Sequence, residues 1–380
     1  MAQAAFSTKI RIVEIGVVGT RVAPSDLGRP DGPPIQYAVL DDLPALELPA
    51  PLYLNRPAAA EKFPAGPVNR HSRTMCSVRN GFMFSPFGLI VLPDGTLVRE
   101  SALNIDAGAL SFTYGQFKGQ FPGTHIMWAT APGAVLSLNS YSTNNYFHFL
   151  IDSLAQMHWR QRVPAAAAAR MIITGYDDES AKALPFMAQS LARAAIGNQM
   201  LMPFDGTLMF CPHVLFPARD TGANPAKVAE LRRLLGVSGR TRGSAKLYIT
   251  RPGAQRRRLV NDAEIAQRLA RLGFTPVDPG ALSFDQQVEL FADAAVIVGP
   301  HGAALTNAAF MSPGGAVVEL THEARVVWTF HEVAGAAGLS YACVIGDRTD
   351  PAANALFADF VVNADEVEAA TRAALQAVGL

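Results

Sequence analysis

The chain has 380 residues, 49% of them hydrophobic, which is more than one core absorbs at this length and predicts two globular domains. Lysine plus arginine equals aspartate plus glutamate at 32 each, so no global field gathers nucleic acid or an anionic membrane, and any anionic ligand has to be met by local groups. Three scattered cysteines, Cys76, Cys211 and Cys343, form no disulfide frame or zinc spacing. With no apolar run of about 18 residues and no basic-then-apolar leader in MAQAAFSTKIRIVEIG, they predict a cytoplasmic chain without a transmembrane segment.

Residues 1 to 135 read as β-rich and irregular. Apolar runs at Ile10 to Val18 and Val135 to Leu138 alternate with Pro/Gly segments, and Leu89 to Val98 carries Asp94-Gly95 between two apolar arms, which predicts a hairpin. From Asn144 to Arg162 the residues Phe147, Leu150, Ile151, Leu154 and Met157 recur at helical spacing, with Ser142 to Asn145 available as a cap. A strand Met171 to Thr174, a helix Ala181 to Ile196, a strand Val214 to Phe216 and a helix Ala226 to Leu235 follow. The glycine-rich "GVSGRTRGSA", residues 236 to 245, reads as a linker. Apart from Ala165 to Ala169 there is no low-complexity patch, and no internal repeat.

After the linker the alternation is regular. Strands are predicted at Leu247 to Thr250, Pro276-Val277, Ala295 to Val298, Ala316 to Leu320 and Tyr341 to Ile345. Helices fall between and after them, at Asp262 to Leu272, Ser283 to Ala294, Ala303 to Phe310, Val326 to Ala337 and Asp365 to Val378. Such alternation builds a parallel, doubly wound α/β sheet whose ligands sit at the carboxyl ends of the strands. The predicted division is 1–220, an N-terminal domain with a β-rich start, and 221–380, a C-terminal Rossmann-like domain.

Two clusters carry chemistry. In "VGPHGAALTN" a buried strand stops at Gly299-Pro300-His301-Gly302 before a helix beginning at Ala303, a turn that points unpaired N–H groups at an anion. Arg251 follows the first strand of the same half, and Arg256, Arg257 and Arg258 come soon after with Asn261 behind them; guanidinium forks suit phosphate oxygens. Glu319 interrupts an apolar strand near its carboxyl end, where it can accept from ribose hydroxyls, and Asn307 lies one helical turn beyond Ala303. The competing readings are a structural turn at His301, a solvated basic loop and a core amide at Asn307. Neither a Walker loop nor GxGxxG is present. In "NNYFHFLID" a helix sets His148 and Asp152 four residues apart on one face, so the carboxylate can orient the imidazole as a general base. Against this stands a satisfied core histidine.

Together "NYFHFLID", "ITRPGAQRRRLVND" and "LSFDQQVELFADAAVIVGPHGAALTNAAFMSPGGAVVEL" resemble the glycosyltransferase 61 family, most specifically in the PHGA…N…F…PG…VEL run. The resemblance implies a GT-B-like architecture, two Rossmann-like domains facing across a cleft, and inverting transfer of a sugar from a nucleotide donor, taken as UDP, to a glycan hydroxyl in capsular or related polysaccharide synthesis. It implies no cofactor and no metal. No convincing DxD is present, and Asp41-Asp42 and Asp177-Asp178 lie outside the clusters. The implied catalytic pair is His148 and Asp152, and which of the two takes the proton stays open. Donor contacts fall on Arg251, Arg257, Arg258, Asn261 and Gln287, and on the turn His301, Gly302 and Ala303 with Asn307 and Glu319. Acceptor contacts fall on Asn145 and Tyr146. The partners implied are the nucleotide sugar and a glycan, with a lipid-linked acceptor at the inner membrane face left open, as is the oligomeric state. The rivals are a nucleotide-sugar epimerase or hydrolase of the same architecture and a non-catalytic carbohydrate-binding protein.

Overall fold

A computed structural model of the chain describes residues 12–68, 73–84, 88–102, 128–139, 143–173, 184–197, 199–202, 208–218, 222–241 and 243–380. The chain forms a mixed α/β protein of two compact units, Met1–Leu43 with His71–Thr221, and Pro44–Arg70 with Gly222–Leu380. The predicted cap residue Ser142, Asp177-Asp178, Thr174 and the first residues of the helix from Ala181 lie outside the described residues.

The first unit is built on a ten-stranded mixed sheet. Its spine is the long antiparallel pair Thr74–Phe84 and Leu208–Pro217, in register from Met75 opposite Pro217 to Phe84 opposite Leu208. Ala134–Ser137 lies parallel to Leu208–Pro217, and Arg170–Ile172 lies parallel to it in turn. The strand after the 143–161 segment therefore extends the sheet by a parallel crossover, while the earlier strands pair mostly antiparallel, so this unit is not the all-parallel sheet expected of a Rossmann-like domain. The hairpin at Asp94-Gly95 is present, joining Leu89–Val91 to Leu97–Val98. The run predicted as extended from Ile10 instead splits into the short strand Ile12–Val13 and a helical turn Ile15–Val18.

The helix predicted from Asn144 is irregular. It widens into a π-helical turn at His148–Ser153 and tightens into a 3₁₀ helix at Leu154–Gln161. The unbroken apolar stretch Phe149-Leu150-Ile151 offers no polar face, and all three side chains are fully buried, as is Leu154. A π turn inside a helix is a recurrent mark of a functional site.

The second unit carries a six-stranded sheet in the order Thr275–Val277, Ala245–Ile249, Ala294–Pro300, Ala316–His322, Ser340–Arg348, Phe360–Val361. The first five are parallel and the last is antiparallel. The predicted doubly wound sheet is thus observed. Every residue of Ala294–Pro300 and of Ala316–His322 is buried, because helices cover both faces. Caps follow the sequence signals: Ser283 and Gln286 form a reciprocal capping box on Phe284–Ala292, and the Asn363 side chain accepts from the N–H groups of Asp365 and Glu366 at the start of Ala364–Ala377. The segment Ala303–Phe310 is a 3₁₀ helix rather than the α-helix expected from its alanines.

The 44–70 excursion was not predicted to join this unit. Asn55 reads Ile345 with both side-chain atoms, Nδ2 donating to the carbonyl at 3.0 Å and Oδ1 accepting from the N–H at 2.9 Å. His331 Nε2 bonds the Pro49 carbonyl at 2.7 Å, and Phe63 lays its ring near those of His331 and Tyr341. Tyr341 leads directly to the site.

Candidate functional site

In the second sheet the strand order reverses between Ala245–Ile249 and Ala294–Pro300, and the crevice outside such a switch point is where ligands bind in open parallel sheets. A cavity of about 530 Å³ opens there, lined by Arg251, Gln255, Arg258, Leu259, Asp262 and Pro300 among others. That volume falls within the range of small-molecule sites.

Arg251 leaves the end of the first strand and folds over the Gly302 turn. A Cβ placed on Gly302 would stand 3.3 Å from its Nη1 and 3.4 Å from its Cζ, so the glycine is what allows the guanidinium to approach the backbone. Gly302 itself is extended, with φ 174°. The Nη1 atom of Arg251 and the Nε atoms of Arg257 and Arg325 are buried without a hydrogen-bond partner. Arg257 adopts a left-handed backbone, φ 51°, uncommon for a side chain of this size. Burial, and then the neighbouring charges of Arg251, Arg325 and Arg256, press its pKa down to about 10. Burial also lowers that of Arg251. Buried donors of this kind are costly unless something fills them.

The other predicted donor contacts divide. His301 sits on the turn with its Nδ1 bonded to Glu319 Oε1 at 2.5 Å, while Tyr341 Oη donates to Glu319 Oε2 at 2.6 Å. Glu319 is 1% exposed and both its oxygens are engaged, so it orients His301 and presents no face to a ribose. Arg258 lines the cavity, but its Nε and Nη2 are given to Asp359 at 2.8 and 2.6 Å, and that carboxylate holds its pKa up. Asn261 is spent on the chain 101 residues away, bonding both the N–H and the carbonyl of Val362. Asn307 donates to Gln287 at 3.0 Å and is completely buried, a core amide pair. Ala303 opens the 3₁₀ helix beside the turn. Arg325 was missed. It lies three residues past the end of Ala316–His322, and the rule that picked Arg251, a basic residue just beyond a strand's carboxyl end, picks it too.

In the first unit the π turn places His148 Nδ1 2.6 Å from Asp152 Oδ2. The side chains differ in access, 17% for His148 and 2% for Asp152, so the imidazole faces outward and the carboxylate backs it. Asn145 Oδ1 accepts from the Phe147 N–H at 2.9 Å, which makes it a local cap. Tyr146 is half-buried, its ring edge-on to Phe186, and burial pushes its phenol well up.

Among the described residues no group of three His, Cys, Asp or Glu is placed to hold a metal ion, and no helix is long and apolar enough to cross a membrane. The model of the family described as glycosyltransferase 61 matches residues 146–318, a span that begins just after Asn145, takes in the π turn and ends one residue short of Glu319. No curated protein matches the chain.

Proposed function

From the match of residues 146–318 to the glycosyltransferase 61 family, we propose that the protein is an inverting, metal-independent glycosyltransferase moving a sugar from a uridine diphosphate donor to a hydroxyl of a glycan, in capsular or related polysaccharide synthesis. In this reading the architecture is of the GT-B kind, with the donor held by the second unit and the acceptor activated by the first. The observation that supports it most is the unpartnered guanidinium nitrogen of Arg251 over the Gly302 turn, with that of its charged neighbour Arg257, at the switch point of a parallel sheet.

The acceptor hydroxyl gives its proton to His148 Nε2, with Asp152 holding Nδ1 and the ring's orientation. The freed oxygen bonds the anomeric carbon from one side. The bond from that carbon to the diphosphate oxygen breaks on the other, and its electron pair leaves on the diphosphate. Arg251, Arg257 and the N–H groups at the start of Ala303–Phe310 stabilise that charge, and His301, as the imidazolium whose Nδ1–H is held by Glu319, donates to it from Nε2.

Two measurements test this. UDP should raise the melting temperature where GDP, CMP, ADP and NAD do not, with or without chelator. His148→Ala and Asp152→Asn should each abolish transfer and keep the UDP shift. Full turnover in both variants removes the base assignment, and a chain stabilised by none of the nucleotides is not the transferase proposed.

A further inference from the structure

Charges around the crevice are distributed unevenly. Each carboxylate in the loops that carry the arginines already has a partner: Asp359 is held by Arg258, Glu323 by Arg348 at 2.6 Å, and Asp262 by the Tyr248 hydroxyl at 2.6 Å. Arg251, Arg257 and Arg325 have no ion pair among the described residues, and each keeps a buried nitrogen without a partner. Arg256 lies over the Phe357 ring at 4.5 Å and adds a fourth positive charge. Arg325 is not adrift: its carbonyl is pinned by the Thr321 hydroxyl at 3.0 Å at the end of Ala316–His322, the strand next to the one that carries His301. An exposed arginine finds water or a surface carboxylate at little cost. Arg251 and Arg325 are instead both charged neighbours of Arg257, and three such groups, each with a buried nitrogen left open, are arranged for a ligand that brings several negative charges of its own.

Resting on the nucleotide-sugar reading above, we infer that Arg325 is a specificity-determining residue of the donor site, completing with Arg251 and Arg257 a three-guanidinium cradle that selects a diphosphate over a monophosphate. Neither the family match, which ends at residue 318, nor the basic triplet of the sequence points to it. A monophosphate offers too little charge to satisfy three forks, so it leaves at least one guanidinium as unpartnered as before. A diphosphate offers enough oxygens for all three.

The test measures binding of UDP, UMP and inorganic pyrophosphate by calorimetry to the full chain and to Arg325→Gln and Arg325→Lys. The wild type should bind UDP at least about tenfold more tightly than UMP, the scale of one added charge-assisted hydrogen bond. Arg325→Gln should lose about tenfold in UDP and pyrophosphate affinity with less than about a threefold change for UMP, collapsing the preference. Lysine restores the charge without the fork and should recover only part of it. The melting temperature without ligand separates this role from a structural one: relieving the repulsion leaves it unchanged or raised, whereas a packing residue would lower it. Equal wild-type affinity for UDP and UMP, or equal losses of both in Arg325→Gln, overturns the cradle and leaves a nucleotide-binding transferase standing. A wild type that binds no nucleotide removes that reading as well.

Discussion

Glu319→Gln removes one charge and almost no volume at the centre of the second unit. The carboxylate is 1% exposed and accepts from His301 Nδ1 at 2.5 Å and Tyr341 Oη at 2.6 Å. A glutamine amide has one oxygen, so two donors face one acceptor, and the amide N–H₂ points at whichever donor is left. A hydrogen bond to a charged group is worth about 1.5–3 kcal/mol net, and both weaken here. Against that, the buried charge is itself expensive, and neutralising it returns part of the loss. The Tyr341 hydroxyl can also turn round to receive an amide proton. Weighing these, the variant should lose about 1.5–3 kcal/mol of stability rather than the sum of two charged bonds. Urea denaturation of the wild type, Glu319→Gln, Tyr341→Phe and the double variant measures it, with the two single changes less than additive because they share one bond. Donor affinity should fall in parallel, because His301 loses its orienting partner. Stability within about 0.5 kcal/mol of wild type, with additive changes, would refute the account of Glu319 as the holder of His301 and Tyr341.

Gly302→Ala meets no backbone penalty, since φ is 174°, but its methyl would lie 3.3 Å from Arg251 Nη1; UDP affinity should fall several-fold with stability changed by less than about 0.5 kcal/mol, and unaltered affinity would take Arg251 out of the donor site. Gly299→Ala sets a Cβ 2.8 Å from Ile249 Cβ in the fully buried strand and should cost about 1–3 kcal/mol in a urea titration, while tolerance within error would mean that the two strands separate freely. Burial holds His213, His322 and His331 below their ordinary value of 6.5. Each stays neutral in the native state while the unfolded chain takes up a proton near 6.5, so their contribution is complete above that pH and is lost as pH falls toward the folded values. The urea midpoint should therefore be lower at about pH 5.5 than at about pH 7.5, before carboxylates titrate, and equal midpoints would contradict it.

The second unit was legible because its elements announce themselves locally. Val296, Ile297 and Val298 can only be a buried strand, Ser283 with Gln286 caps a helix, and the crevice follows from strand order. What a long polar side chain does is settled by residues far away in sequence. Arg258 and Arg257 are neighbours of one type, yet the first is claimed by Asp359 and the second is left without a partner at Nε. Asn261 looked like a ligand contact and is a bracket for Val362, while Gln287 and Asn307 satisfy each other. The π turn at His148 was hidden for a different reason. Periodicity registers helical spacing but not a local widening, although the polar residues His148 and Asp152 flanking an all-apolar Phe149-Leu150-Ile151 hint that no single face is exposed.

The association of residues 44–70 with the second unit shows why the crevice cannot be treated as a self-contained product of the C-terminal half. Phe63 packs near Tyr341, whose hydroxyl holds Glu319, which in turn holds His301 on the turn over which Arg251 lies. Pro49, from the same excursion, fixes His331 beside both rings, its centroid 4.8 Å from that of Tyr341 and 5.6 Å from that of Phe63. A chain cut at the linker would keep every residue of the family match in this sheet and lose the packing that fixes Tyr341. Rigid support behind a site matters because a ligand's hydrogen bonds weaken quickly with displacement of the groups that make them. The arginines show the complementary side of the same design. Carboxylates are available in those loops and are bound elsewhere, so the crevice gives up local stability to keep its cations open, the trade expected where binding rather than folding sets the arrangement.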